Sequence, residues 1–167
     1  MITSDAITWT APNDDHPARA ASQRSYSAVA KGDLTEWLTV YAEDAVLEDP
    51  VGPSMFDPEG KGHHGHAGIS AFWEKAIAPI ETFEFEIYES FAHHLTCANI
   101  GRIKTSFADG SYTVTDLIMV YVIHEDGTVA SMKAYWEPDR TMASFTTPTP
   151  TETATATTAT PAGTLTT

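Results

Sequence analysis

The chain has few cysteines, few basic residues and no long apolar stretch. Its single cysteine, Cys97, excludes an internal disulfide and a thiolate metal cluster. Lys and Arg make up 9 of the 167 residues against 23 Asp and Glu, and the formal net charge is −14. Without a basic stripe, nucleic acid and anionic membranes are disfavoured as partners. No run approaches the length of a membrane span, so we expect a cytoplasmic protein.

The composition divides the chain into three parts. Residues 1–16 are rich in Asp, Asn and Pro and predict a flexible N-terminal segment. Residues 141–167 interleave Thr with Ala and Pro, and such a segment cannot bury enough apolar area to offset its ordering entropy. We therefore predict a disordered tail there. The remaining residues, 17–140, have the usual size of one domain with one core.

The spacing of apolar residues predicts helices first and strands later. Helical spacing indicates three helices, over about 17–31, from Leu34 to Tyr41 after an Asp33 cap, and over 67–78. Strands are predicted at 45–49 and then at about 83–88, 94–107, 111–124 and 128–137, with turns at Asp109-Gly110 and Asp126-Gly127. This order indicates an α+β fold, in which three N-terminal helices pack on a strongly curved, mostly antiparallel sheet. The hollow of such a cone is the default ligand site.

The most informative carboxylate is Asp49, at the end of the first predicted strand. Side chains alternate along a strand, so Leu47 and Asp49 share a face. An apolar neighbour suggests that Asp49 looks inward, where burial raises the pKa of a carboxylate and makes it a better base. The same pattern fits an aspartate that caps the following loop, and the residues alone leave both interpretations open.

Three motifs carry a family resemblance. They are Tyr-Ala-Glu-Asp-Ala-Val-Leu-Glu-Asp-Pro-Val-Gly at 41–52, Gly-His-Ala-Gly-Ile-Ser-Ala-Phe-Trp at 65–73, and a final hairpin with Asp-Gly-Thr-Val at 126–129 and Met-Lys-Ala-Tyr-Trp at 132–136. Together they resemble the bacterial ketosteroid isomerases of the nuclear transport factor 2-like (NTF2-like, SnoaL-like) superfamily, over about residues 20–140. The resemblance implies a cone-shaped NTF2-like fold more securely than an activity, because members of one fold serve many functions.

The resemblance also implies roles for individual residues. In ketosteroid isomerases an aspartate shuttles a proton between two carbons of a β,γ-unsaturated 3-ketosteroid, while a Tyr and a protonated Asp donate hydrogen bonds to the dienolate oxygen. Asp49 matches the base, and Trp136 matches a Trp that lines the pocket near it. No cofactor is expected, because proton transfer next to a carbonyl needs only a base and an electrostatic partner.

The donors to the dienolate oxygen carry over less directly. Counting back from Gly32-Asp33 places the family's Tyr at Ser25, so its neighbour Tyr26 takes the role only if the connection between the helices is one residue shorter. Counting back from Trp136 places the protonated Asp at Met119. The nearest carboxylate, Asp116, falls on the opposite face of the strand. Tyr121 shares a face with Met119 and is either a substitute donor or a core residue.

These residues define the predicted site. Asp49 and Tyr26 are the catalytic candidates, and the predicted pocket walls are Val51, Met55, Phe56, Phe72, Met119, Tyr121 and Trp136. The histidines in His63-His64-Gly65-His66 lack a matching cysteine or carboxylate cluster, so a metal site is disfavoured.

Two functions follow as hypotheses. The first is isomerisation of a 3-oxo-Δ5 steroid, or a related lipophilic ketone, to the Δ4 form. The alternative is a non-catalytic or weakly catalytic binder of steroid-like or polyketide-like molecules. The superfamily also implies a homodimer formed through the outer face of the sheet.

Overall fold

The computed structural model describes residues 2–148, which form one curved sheet with helices packed on it. The helices are α1 (Pro17–Lys31), α2 (Leu34–Val40), α3 (Gly65–Ala76) and α4 (Pro138–Ala143). The strands are β1 (Ile2–Ser4), β2 (Ile7–Trp9), β3 (Tyr41–Glu48), β4 (His63–His64), β5 (Thr82–His93), β6 (Thr96–Ser106), β7 (Tyr112–Ile123) and β8 (Val129–Tyr135). Their order in the sheet is β1-β2-β5-β6-β7-β8-β3-β4. The predicted α+β class is confirmed, with a mixed sheet because β2 pairs with β5, and β3 with β8, in parallel.

Local signals determine the ends of the first two helices. Pro17 occupies the first turn of α1, where its fixed φ suits the helix and its missing N–H is not needed. Gly32 ends α1 with a φ of 68°, and its N–H bonds the Val29 carbonyl. Asp33 then begins α2, because its carboxylate accepts a hydrogen bond of 2.8 Å from the Glu36 N–H. The predicted break between the two helices is therefore confirmed.

The sheet bends where β5 and β6 cross α1. The register of this pair shifts between Ile87 and Glu89, which marks a β-bulge in β5. A Cβ on Gly101 of β6 would collide with the Glu86 carbonyl, so glycine permits the close approach of the strands there. Past the bulge, Ser90 turns to the inner face and is buried. The bend thus produces a concave face that holds the core and the cavity.

The N-terminal segment differs from the prediction of a flexible lead-in. Strand β2 lies parallel to β5, with Ile7 opposite Phe85 and Trp9 opposite Ile87. Trp9 is only 1 % exposed, and its ring lies 6.5 Å from that of Tyr26. The composition of residues 1–16 is polar on average, but a single large aromatic side chain is enough to attach the segment to the core.

The C-terminal boundary also lies beyond the predicted residue 140. Helix α4 packs against β7, where Ser144 Oγ accepts from the Val114 N–H at 2.8 Å and lies 3.0 Å from its carbonyl. Thr146 pairs with Tyr112 through two backbone hydrogen bonds. Hydrogen bonds attach this segment to β7. The prediction of a tail from residue 141 considered only apolar burial, so it did not anticipate them. The rest of the predicted tail, residues 149–167, lies outside the described residues.

Within residues 2–148, no helix combines the length and apolar character needed to cross a membrane.

Ending the chain at Arg140 should destabilise the fold relative to a chain that ends at Pro148. The shorter chain loses the Ser144 and Thr146 contacts with β7, and each net hydrogen bond contributes about 1 kcal/mol. We expect the free energy of unfolding, measured by urea denaturation, to fall by about 1–3 kcal/mol. Equal unfolding midpoints for the two chains would contradict this role of the segment.

Candidate active site

A cavity of about 340 Å³ opens on the concave face of the sheet. Its size is within the range of pockets that hold drug-sized molecules. Most of its walls are apolar or aromatic side chains from α1, α3 and the inner faces of β5 to β8. Eight of the nine predicted site residues line it, namely Tyr26, Asp49, Met55, Phe56, Phe72, Met119, Tyr121 and Trp136.

The ninth predicted residue, Val51, does not line this cavity. Its N–H bonds the Ala134 carbonyl at 2.9 Å, and its side chain borders a separate groove on the outer face of the sheet. That groove, which we call the outer groove, is lined by Val51, Tyr88, Ile100, Asp116, Leu117, Ile118, Tyr135, Trp136, Glu137, Arg140 and Thr141. The chain turns at Pro50, so the alternation that points Asp49 inward does not extend to Val51.

Parallel pairing of β3 and β8 brings Asp49 and Trp136 together. Glu48 pairs with Lys133 in the register, so both strands end at the same side of the cavity. The Trp136 Nε1–H donates a hydrogen bond of 2.6 Å to Asp49 Oδ1. This bond orients the carboxylate through Oδ1, so Oδ2 is the oxygen that can accept a proton from a ligand. Of the two interpretations that the residues left open, the structure shows the inward orientation of Asp49.

The environment of Asp49 changes its acidity. Burial raises the pKa of Asp49 to about 6, because the apolar surroundings disfavour the charged form, and the hydrogen bond from Trp136 partly opposes this rise. At neutral pH the group is ionised, and it is a stronger base than an ordinary carboxylate. A base whose pKa lies close to the working pH suits both removal and return of a proton.

Among the hydroxyl-bearing residues that line the same cavity are Ser25, Tyr26 and Tyr121. Ser25 Oγ accepts a hydrogen bond of 2.9 Å from Trp37 Nε1 and lies 3.5 Å from the Tyr121 hydroxyl, which donates to it. The Tyr41 hydroxyl lies 3.4 Å from the same oxygen. These groups form a hydroxyl cluster, defined here as Ser25, Tyr26, Tyr41 and Tyr121.

The tyrosines of the hydroxyl cluster stay protonated. Burial raises the pKa of Tyr26, Tyr41 and Tyr121 above the ordinary value, and the nearby charge of Asp49 adds to the rise at Tyr41. Protonated phenols are hydrogen-bond donors, so Tyr26 and Tyr121, which line the cavity, can donate to an electron-rich oxygen of a bound ligand.

Met119 and Asp116 lie on opposite faces of β7. Met119 is buried and presents a thioether, which donates no hydrogen bond, to the cavity. Asp116 faces outward, where Arg102 and Arg140 bond its two oxygens at 2.8 and 2.9 Å and hold its pKa below the usual value. The outward placement predicted from strand alternation is confirmed.

One wall of the cavity is the loop that follows Asp49. Phe56 packs edge-on against Phe72 of α3, with 5.7 Å between ring centroids. Asp57 shapes the loop, because its two carboxylate oxygens accept from the N–H groups of Gly60 and Gly62 at 3.1 and 2.6 Å. Met55 is exposed and forms the rim.

The histidines of the same region point in different directions. His64 Nε2 lies 2.8 Å from the Lys61 carbonyl, His66 Nε2 lies 2.9 Å from the Tyr41 carbonyl, and the His63 ring packs on Phe72. In the described part of the chain, no group of three or more metal-ligating side chains is placed to hold an ion.

Sequence reasoning missed Asn99, which is completely buried and donates a hydrogen bond of 2.8 Å to the Tyr26 hydroxyl. A signal was present, because Asn99 shares a strand face with Cys97 and an asparagine facing a core needs polar partners. Those partners come from α1 and β5, which are distant in sequence.

Comparisons with known proteins agree with this geometry. The family model described as "SnoaL-like domain" matches residues 22–132. A steroid Delta-isomerase from Nocardioides simplex is 32% identical over 120 residues, which cover 72% of this chain and 89% of that protein.

Two solved structures are also similar. The Delta 5-3-ketosteroid isomerase from Mycobacterium sp. has 29% identity and a TM-score of 0.70, and the match covers 79% of this chain and 98% of the other. RV0760c from Mycobacterium tuberculosis has 28% identity and a TM-score of 0.71, with 81% and 98% covered. The resemblance seen in the motifs is thereby confirmed, and the chain belongs to the SnoaL-like family.

Proposed function

We propose that the chain is a cofactor-independent isomerase of the ketosteroid isomerase type, acting on a steroid or a related lipophilic ketone. The observation that carries this proposal is Asp49, a sheltered carboxylate with a pKa of about 6 in an apolar cavity. The steroid isomerase activity named for the Nocardioides simplex relative supports it.

The reaction is a proton transfer within one ligand. Asp49 removes a proton from the carbon between the carbonyl group and the β,γ double bond, and the electrons move to the carbonyl oxygen to give a dienolate. The protonated Asp49 then returns this proton to the γ carbon. The double bond becomes conjugated with the carbonyl, and the carboxylate is regenerated without any other reactant.

The cavity supports each stage of this transfer. Its apolar walls exclude water, which keeps the pKa of Asp49 high and strengthens hydrogen bonds to the dienolate oxygen. Trp136 holds Oδ1, so Oδ2 is free to carry the proton. Tyr26 and Tyr121, the two tyrosines of the hydroxyl cluster that line the cavity, are the candidate donors to this oxygen.

A second candidate function is binding without efficient turnover, and Met119 favours it. The family's protonated aspartate is replaced there by a side chain that donates no hydrogen bond. Removing one such donor typically lowers the rate by about 10²–10³, or roughly 3–4 kcal/mol. A chain that has lost this donor can keep its affinity for a lipophile while its isomerisation slows.

We also propose a homodimer through the outer face of the sheet. Large apolar side chains are exposed there on β5, β7 and β8, namely Tyr88, Phe91, Ile118, Val122 and Tyr135. Ile118 pairs with Tyr135 and with Ile100 across the strands, so these three residues form an apolar patch in the middle of this face. A contiguous apolar patch on a sheet face is typical of an association surface.

Replacing the base tests the isomerase proposal directly. Asp49→Asn keeps the shape and the hydrogen bond from Trp136 but removes the base, so isomerisation of a 3-oxo-Δ5 steroid should fall by at least about 10²-fold. Ligand affinity, measured by fluorescence titration, should stay largely intact. Asp44→Asn, at an exposed position of β3, the strand that leads to Asp49, is the matched control and should keep turnover. Saturable binding by the wild type without turnover would favour the second candidate.

The pH dependence should report the acidity of Asp49. We expect kcat/KM to rise with pH through an acid limb near pH 6, since only the ionised group removes a proton. Trp136→Phe removes the bond that favours the charged form and should move the limb upward by roughly one pH unit. The control is Trp37→Phe, which removes an indole N–H that bonds Ser25 and not Asp49. The acid limb of this variant should lie at the same pH as in the wild type. A limb that is unmoved in Trp136→Phe would show that another group titrates.

Disrupting the outer face tests the homodimer. Ile118→Glu places a charge within the apolar patch and should convert a dimer into a monomer in sedimentation velocity experiments. Thr35→Glu adds the same charge at an exposed position on α2 and should leave the dimer unchanged. A wild type that sediments as a monomer at micromolar concentrations would contradict the proposal.

A further inference from the structure

A chain of buried polar side chains leads from a buried cation to the cavity. Arg19, Ser90, Asn99 and Tyr26 are each at most 6 % exposed. Arg19 Nε donates to Ser90 Oγ at 2.9 Å, and another guanidinium nitrogen donates to the Asp14 carbonyl at 2.6 Å. Among residues 5–148, no carboxylate lies within 4.0 Å of this guanidinium. Its hydrogen-bond partners are therefore neutral oxygens, the Ser90 hydroxyl and the carbonyls of Asp14 and Ser90.

The direction of each hydrogen bond in this chain is fixed. Ser22 uses its hydroxyl proton on the Arg19 carbonyl at 2.8 Å, so its contact with Asn99 has to be donated by the Asn99 amide nitrogen. The amide oxygen of Asn99 then faces Ser90, whose hydroxyl donates to it at 2.8 Å. The second amide proton of Asn99 goes to the Tyr26 hydroxyl at 2.8 Å.

The Tyr26 hydroxyl is consequently an acceptor toward Asn99 and keeps its own proton for another partner. Tyr26 lines the cavity, and its hydroxyl interacts with that of Tyr121, which lines the cavity as well. Asn99 is also the cross-strand partner of Met119. The series of hydrogen bonds from Arg19 to Tyr26 thus passes beside Met119, the position where the family resemblance implies a protonated aspartate.

We infer that Arg19, Ser90 and Asn99 are positioning residues, which hold the Tyr26 hydroxyl as the hydrogen-bond donor to the carbonyl oxygen of the ligand. This inference rests on the proposed function. The positioning chain replaces the donor that Met119 cannot supply.

Two physical effects make this arrangement effective. A donor whose direction is set before the reaction needs no reorganisation when charge develops on the ligand oxygen. Successive hydrogen bonds that all point the same way also polarise one another, and here the first donor is a cation. The positive charge of Arg19 also acts on β6, the strand that carries Asn99. Burial raises the pKa of Cys97 on this strand, and the charge of Arg19 partly opposes that rise.

Reversing one hydrogen bond tests the positioning chain. Asn99→Asp keeps the shape of the side chain, but the introduced carboxylate accepts where the amide donated, so the Tyr26 proton turns away from the cavity. We expect kcat to fall by about 10²–10³, as for loss of one donor, while KM changes less than about threefold. Cys97→Ala disturbs the packing of the same strand on α1 and is the matched control, with kcat near that of the wild type.

A double-mutant cycle distinguishes positioning from a general loss of stability. If Asn99 acts through Tyr26, then Tyr26→Phe should lower kcat to a similar degree, and the double variant should be no slower than either single variant. A kcat within threefold of the wild type in Asn99→Asp, or effects that multiply in the double variant, would overturn the inference.

A binding measurement keeps the test separate from the proposed activity. In an Asp49→Asn background, bound 2-naphthol should be more ionised than the free naphthol at the same pH, because the Tyr26 donor stabilises the naphtholate oxygen. Adding Asn99→Asp should return the ionised fraction, read from the absorbance spectrum, to that of free naphthol. Equal ionised fractions with and without Asn99→Asp would overturn the inference. Absence of steroid turnover in the wild type would overturn only the proposed function.

Discussion

The hydrogen bond between Trp136 Nε1 and Asp49 Oδ1 joins the ends of β8 and β3 at the cavity. Among the side chains that the structure describes, Trp136 is the one donor to the Asp49 carboxylate. Burial raises the pKa of Asp49 and this bond partly opposes the rise, so the group is ionised at neutral pH and is still more basic than an ordinary carboxylate. The parallel register of β3 and β8, together with the bend of the sheet, brings the Asp49 carboxylate and the Trp136 indole to the same apolar cavity.

A second constraint comes from the polar groups that the core encloses. Burying a cation and an amide is unfavourable unless every donor and acceptor is paired. Here Arg19 and Asn99 are paired by short side chains on α1 and β5. The β-bulge makes this pairing feasible, since without the extra residue Ser90 would share the outward face of Glu86. A distortion of the sheet and the hydrogen bonds of the cavity are thus parts of one arrangement.

The sequence predicted the features that depend on local signals. Pro17 and Gly32 mark the ends of α1, and strand alternation placed Asp116 outward and put Asp49 on the same face as Leu47. The pairing of Trp9 with a strand nearly eighty residues away has no local signal, and neither does the inward turn of Ser90, because a bulge reverses the alternation. Asn99 is the clearest case, since its role appears only when three distant elements pack together.

The basicity of Asp49 has a consequence for stability. Its folded pKa of about 6 lies above the value near 4 of an unfolded chain, so the folded state binds the proton more tightly. The contribution of this group to stability is therefore fully present below about pH 4 and is lost as the pH rises to about 6. Above that range the fold carries an unfavourable term of up to about 3 kcal/mol, a sizeable share of the stability of a small domain. Hydrating the carboxylate would relieve this term but would lower the pKa of Asp49. Burial of Asp49 causes both the loss of stability and the high basicity of the carboxylate. Favourable contacts elsewhere in the core therefore have to offset that loss of stability.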